Sequence, residues 1–190
     1  MAEPARIEGY AIVSDDGMLA GVDGVMPDSL KFEADQTFFA KGLDGCDAVV
    51  HGRNSHEKQP HSPQRFRLTA TRKVAALAPD PDNPKGLLWN PAGARLDQAW
   101  TALGLDTGTP KNGVLGVVGG TAIFGHFLDR YDVFYLTRAP GALPGGVPVF
   151  PDVPRLTPEQ VLTRHGLVSA GTRALDADKG VTLTTWRRQR

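Results

Sequence analysis

The segment Val117-Val-Gly-Gly-Thr-Ala-Ile-Phe124 runs an apolar strand into two glycines that open a helix. Glycine lets backbone approach a ligand closely, and the first amides of a helix, with its dipole, favour a phosphate. The same pattern also serves any plain strand-to-helix turn, so it needs companions. Two are present: Gly52-Arg53-Asn54-Ser55, read as a strand entering a helix, and Thr71-Arg72-Lys73 at the end of another strand. Both would set cations and hydroxyls at the carboxyl ends of parallel strands, where open α/β sheets bind ligands and where a 2′-phosphate would find guanidinium partners. The alternative reading of each is a solvated basic cluster.

A carboxylate is the other chemical feature. Glu33 and Asp35 fall beside an apolar stripe, and Asp35 lies four residues before Phe39, on the same helical face. An inward carboxylate is raised in pKa unless a cationic or N–H-bearing partner meets it, whereas an outward one is an ordinary helix surface. His51, His56 and His61 recur every five residues, matching no helical or finger-type ligand spacing, so no metal is expected. Ser, Cys and His occur without a nucleophile elbow, which removes acyl transfer.

The elements that must position these groups follow from periodicity. Strands are expected at Ile7–Ser14, Asp47–Gly52, from Arg65 to Thr71, Gly86–Trp89, Val114–Val118, Asp132–Thr137 and Val181–Trp186. Helices are expected over Asp28–Leu43, capped by Asp28 or Ser29 and closed by Gly42, over Pro91–Gly104, and from Thr121 to Tyr131. Pro79–Pro84 and Pro140–Pro154 read as loops, and Thr157 to Gln160 as a capping-box start to a short helical turn. Alternating strand and helix predict an α/β fold: one domain, a mainly parallel central sheet with helices on both faces, and an antiparallel C-terminal strand.

Composition sets the remaining bounds. The 190 residues are 41% hydrophobic and 22% charged, which excludes disordered and fibrous classes. Lys plus Arg and Asp plus Glu are equal at 21 each, so nothing global points to nucleic acid or an anionic membrane. Cys46 stands alone, excluding an intramolecular disulfide, and no signal peptide or apolar span is evident; a cytoplasmic protein is expected.

Taken in order, these segments resemble the dihydrofolate reductases and the related reductase domain of riboflavin biosynthesis. GYAIVSDDGMLA and GVMPDSL are similar to the first strand and the two ends of that family's active-site loop. AVVHGRNSHE resembles its strand-GR-helix element, VVGGTAIFGHFLDRYDVFYLT its Gly-Gly cofactor turn, helix and next strand, PVFPDV its acidic-aromatic landmark, and DADKGVTLTTWRR its last strand. The resemblance implies a three-layer fold and an NADPH-dependent reductase that transfers hydride to a pterin C=N bond, converting dihydrofolate to tetrahydrofolate. It implies cofactor contacts from Ala20, Gly52, Arg53, Asn54, Ser55, Thr71, Arg72, Gly119, Gly120, Thr121, Ala122, Ile123 and Phe124, with the two arginines favouring NADPH over NADH.

For the substrate the resemblance implies Asp35 as the pterin-binding carboxylate, or Glu33 if one counts without gaps from Met26-Pro27. Thr137 would hydrogen-bond that carboxylate, Ile12, Met26 and Phe39 would line the site, and Arg65 would grip the glutamyl tail. The chain departs from the family in carrying Asp28 where a tryptophan is usual, Phe124 where many have tyrosine, and Thr121-Ala122 in the turn. A riboflavin-pathway pyrimidine, another pterin, or NADPH binding without catalysis are the alternatives these departures imply. The expected partner is a small molecule, with neither nucleic acid nor membrane, in a monomer or homodimer.

Overall fold

The computed structural model describes residues 2–55, 57–105 and 112–189, so His56 lies outside the described residues. Eleven strands are present among these: β1 Arg6–Val13, β2 Met18–Ala20, β3 Ala48–Gly52, β4 Phe66–Ala70, β5 Leu77–Pro79, β6 Gly86–Trp89, β7 Val114–Val117, β8 Val133–Arg138, β9 Val147–Pro148, β10 Leu167–Asp176 and β11 Val181–Arg188. Nine form one sheet in the order β10-β11-β8-β1-β7-β3-β4-β6-β5. The six from β8 to β6 are parallel; β11, β10 and β5 join antiparallel. β2 and β9 pair separately.

Side-chain alternation along the strands divides the core in two. Ile7 and Val13 of β1, Val50 of β3, Leu68 of β4 and Phe134 of β8 join the main core with helices α2 (Leu96–Ala102), α3 (Thr121–His126) and α4 (Pro158–Arg164). The intervening positions, Tyr10 and Ile12 of β1 and Tyr135 of β8, face the other way and meet helix α1 (Glu33–Asp44) or the segment before it. Helices therefore cover both faces, as the alternation predicts.

Several expected boundaries are corrected. The helix expected over Asp28–Leu43 is split: Asp28–Leu30 is a 3-10 turn, Lys31 and Phe32 are extended, and α1 begins at Glu33. Leu30 and Phe32 pack with Ile12 and Ala139, and burying those side chains on the sheet outweighs continuing the helix through them. Neither Asp28 nor Ser29 caps α1, which has Phe32 at its N-cap and Gly45 at its C-cap. Gly42 is mid-helix because its missing side chain admits Tyr10: a Cβ there would lie 2.5 Å from the Tyr10 ring.

Gly52 does not enter a helix. Arg53 and Asn54 form a turn, and residues 57–59 are irregular ahead of a 3-10 turn at Ser62–Gln64, with Pro60 and Pro63 limiting the helical donors available. α2 starts five residues late, at Leu96, and α3 ends at His126 rather than Tyr131. β10 and the β2–β9 pair lie where no strand is expected. Val168 to Ala174 of β10 are all exposed, so no inward-outward alternation marks them, and β9 is a two-residue strand inside the Gly/Pro loop.

Candidate functional site

The carboxyl ends of β8, β1, β7, β3 and β4 lie side by side. At about 4.8 Å per strand, that ledge spans roughly 19 Å from β8 to β4. Thr137 sits at its β8 end and pairs in register with Ile12 of β1. Asp35, in the first turn of α1, is buried and its carboxylate accepts a hydrogen bond from the Thr137 hydroxyl. Burial raises the Asp35 pKa above its ordinary value and the Thr137 bond only partly offsets this. Glu33, two residues earlier, is exposed and points to another flank of α1.

An apolar wall stands beside this pair. Ile12, Leu30 and Ala139 are buried together, with Phe32 and Leu143 packed against them. Sequence reasoning placed only Ile12 here; Leu30 and Phe32 carry no signal beyond being apolar in what reads as a helix. Phe39, half-buried, instead joins the cluster around Tyr10, its ring 6.0 Å from that of Tyr10. Met26 is on the exposed loop before α1.

Along the ledge, the β3 and β7 ends are stitched together: the Gly52 amide donates to the Gly119 carbonyl at 2.8 Å, and the Val118 amide to Val50 at 3.0 Å. The Gly119–Gly120 peptide is cis and Gly119 has φ +140°, a conformation that disfavours other residues. A Cβ on Gly120 would lie 2.7 Å from the Ser55 hydroxyl oxygen, so this double glycine forms a cradle that any side chain would fill. α3 then starts, with the Ile123 and Phe124 amides both bonded to the Gly120 carbonyl. Ile123 and Phe124 are buried in the main core, and their side chains border the turn, Ile123 Cγ1 3.8 Å from where a Gly52 Cβ would stand and Phe124 Cε2 3.9 Å from a Gly119 Cβ, while Ala122 is exposed. Thr121 donates its hydroxyl to the Pro148 carbonyl of β9, whose partner strand β2 carries the buried Ala20.

Gly52 of β3 is paired with Ala70 of β4, so Arg53-Asn54-Ser55 and Thr71-Arg72-Lys73 leave neighbouring strands at the same end. Arg53, Asn54, Arg72 and Lys73 are exposed. The Thr71 hydroxyl accepts from the Lys73 amide at 3.2 Å, holding that turn. The clusters separated by eighteen positions in sequence are thus one basic corner.

Arg65 is placed differently from the free guanidinium implied for it. It is buried, and donates to Glu57 at 3.1 Å and to Asp44, at the far end of α1, at 2.6 Å. Arg67 also donates to Glu57, at 2.6 Å, and to the Ser62 hydroxyl at 2.9 Å. Burial pushes the Glu57 carboxyl up, but its bonds to Arg67, the Gln59 amide and Ser62 hold it below the usual range overall. Glu57 is the residue that sequence reading missed altogether; Arg-x-Arg beside an isolated glutamate in a loop rich in polar residues gives no pattern from which burial could be read. His51 is also buried, with Nδ1 2.7 Å from the Gly52 carbonyl oxygen.

A groove of about 1000 Å³ lies along the other flank of α1, between Glu33, Phe38 and Lys41 and the β10–β11 hairpin. It contains neither Asp35 nor the glycine turn, and its volume alone assigns it no role.

No protein-family model matches the chain, and no curated protein matches it in sequence. Solved structures do. A protein assigned to riboflavin biosynthesis from Shewanella sp. PV-4 superposes with a TM-score of 0.69 at 22% identity, over 97% of this chain and 99% of that one. Dihydrofolate reductase from Enterococcus faecalis, complexed with NADP(H) and RAB-propyl, gives 0.61 at 15% identity over the whole of both chains. The diaminohydroxyphosphoribosylaminopyrimidine deaminase/5-amino-6-(5-phosphoribosylamino)uracil reductase of Thermotoga maritima gives 0.62 at 15% identity, over 97% of this chain but 56% of that one. Likeness at these identities establishes a shared fold.

Proposed function

We propose that this chain, whose fold is that of the dihydrofolate-reductase-like superfamily, is an NADPH-dependent reductase that delivers hydride to a C=N bond of a dihydropterin such as dihydrofolate. The observation that carries the reading is the buried Asp35 carboxylate held by Thr137 at one end of the strand-end ledge. A carboxylate in an apolar recess is costly unless a ligand brings N–H donors to it. A 2-amino-pyrimidinone edge offers two such donors side by side, matching the two oxygens of one carboxylate.

The chain's residues fit the proposed cofactor at the other end. The Gly119–Gly120 cradle places no Cβ between its backbone and an approaching phosphate, and the Arg53/Arg72 corner supplies cations for a 2′-phosphate. When bound, NADPH supplies the hydride. The ledge length of roughly 19 Å lets an extended dinucleotide reach from the β4 corner toward Ile12, beside Asp35. The protein's contribution is orientation and exclusion of water: Ile12, Leu30 and Phe32 form a dry wall, and Asp35 fixes the heterocycle and raises the basicity of its imine nitrogen. Proton delivery from water, admitted by the 14–28 loop, completes the reduction.

A second reading, a same-fold reductase acting on a riboflavin-pathway pyrimidine, is favoured by the likeness to the Shewanella protein. The deciding experiment follows loss of NADPH absorbance with dihydrofolate, with a tail-less dihydropterin, and with a ribosylamino-pyrimidinone phosphate. Oxidation with a dihydropterin, blocked by a 2,4-diaminopteridine, supports the first reading. Oxidation with the pyrimidine alone replaces it with the second, and NADPH binding without oxidation leaves a non-catalytic module.

A further inference from the structure

The charge arrangement around Arg65 bears on what the proposed reductase takes as substrate. A heterocycle anchored on Asp35 and extended along α1 would bring its distal group to the other end of the helix, nine residues on at Asp44, about 13 Å away. The guanidinium at that end is Arg65, and both of its terminal nitrogens are engaged: Nη1 with Glu57 at 3.1 Å, Nη2 with Asp44 at 2.6 Å. Its side chain is 6% exposed, those of Arg67 and Glu57 1% and 2%. Glu57 serves both arginines, and His61 adds a contact to Asp44 at 3.0 Å. Two carboxylates match two guanidiniums, so the cluster presents no net positive charge to an incoming anion. A substrate carboxylate would have to displace Glu57 or Asp44 from Arg65, exchanging one ion pair for another while paying desolvation twice.

We infer that Glu57, with Asp44, is specificity-determining: by holding Arg65 it withholds the ion pair that an anionic tail would need at the C-terminal end of α1, so the site gains no preference for heterocycles that carry one. This rests on the dihydropterin reading of Asp35. A second feature of the cluster agrees with it. Glu57 is anchored from behind, its Oε2 accepting the Gln59 amide at 2.8 Å, and the Ser62 hydroxyl donates to the Glu57 carbonyl at 2.9 Å, so the carboxylate is fixed by its own loop rather than free to swing aside.

The test measures dissociation constants of the NADPH-loaded protein for two probes with the same heterocycle: dihydrofolate, and 6-hydroxymethyl-dihydropterin, which has no glutamyl tail. Constants within about threefold of each other are expected, since the tail gains no ion pair. Dihydrofolate binding 30-fold or more tighter would overturn the inference while leaving the dihydropterin reading intact. Failure of both probes to bind would overturn both. Asp44→Asn, which alters a partly exposed side chain and leaves Glu57 in place, removes the negative charge paired with Arg65 Nη2 and leaves only a neutral oxygen acceptor for a substrate carboxylate to displace; it is expected to tighten dihydrofolate at least fivefold and to leave the tail-less probe unchanged. Equal affinities that persist in Asp44→Asn and in a folded Glu57→Gln protein would overturn the role given to these carboxylates.

Discussion

The Thr137 hydroxyl, on β8, donates to the Asp35 carboxylate, in the first turn of α1, and so joins the sheet to α1 where the helix begins beside the strand-end ledge. The bond orients a carboxylate that burial makes expensive to ionise, and it does so from a strand whose register with β1 places Ile12 alongside. Position and electrostatics are therefore set by the same contact.

Asp35→Asn should separate function from stability. The amide keeps an acceptor for Thr137 but loses the charge, so NADPH-dependent reduction is expected to fall on the order of 100-fold or more. The folded-state pKa of Asp35 lies above the 3.8 of the free group, so the folded state binds more protons between these values and its stability declines as pH rises through that window. At neutral pH the parent carries that penalty and the variant does not. Urea denaturation across pH 3.5 to 8 should show Asp35→Asn more stable at pH 7 and lacking the decline; a variant less stable than the parent at pH 7 would contradict the assignment.

The opposite sign is expected at Glu57. Its folded-state pKa lies below 4.5, so the stability it contributes is complete above that pH and is lost as pH falls through the folded value. Glu57→Gln leaves Arg65 and Arg67 without their shared carboxylate and should lower stability by about 3 kcal/mol or more at neutral pH. Its acid limb should also be shallower than the parent's, read from the denaturation midpoint between pH 2.5 and 6.

The glycine cradle predicts a cofactor effect that leaves the core alone. In Gly119→Ala a Cβ would lie 3.1 Å from the Ser55 Cβ on backbone at φ +140°, so the turn must shift. NADPH affinity, followed by quenching of tryptophan emission, is expected to weaken at least tenfold, whereas the circular dichroism of the unliganded protein should change little. An unaltered affinity would move the phosphate site elsewhere.

Arg72→Ala addresses the basic corner. The side chain is exposed, so folding should be unaffected. Loss of one charge-assisted contact to a 2′-phosphate should raise the KM for NADPH about tenfold and leave that for NADH unchanged. Equal effects on both cofactors would remove the 2′-phosphate from this corner.

Gly42→Ala probes the helix seat. Its Cβ would meet the Tyr10 ring at 2.5 Å, and that ring is itself stacked on Tyr135 at 4.9 Å with Phe38 and Phe39 around it. With no free direction for the ring, α1 must move, costing about 1–3 kcal/mol in a thermal or urea melt and lowering turnover through the displacement of Asp35.

What the chain determined by itself is periodic or local. Apolar runs at Val114–Val118 and Asp132–Thr137 form strands because their side chains are buried on both faces, and the Gly-Gly turn is legible because only glycine tolerates that backbone. The candidate carboxylate was narrowed to two residues by its neighbours on a helical face. Which of the two is buried is a matter of tertiary structure: burial depends on where α1 starts, and that is decided by Leu30 and Phe32 packing on Ile12, a contact between residues eighteen or more positions apart. Arg65 illustrates the same limit. A guanidinium reads alike in sequence whether it awaits a ligand or is already paired, because its partners, Asp44 and Glu57, come from separate segments that only folding brings together.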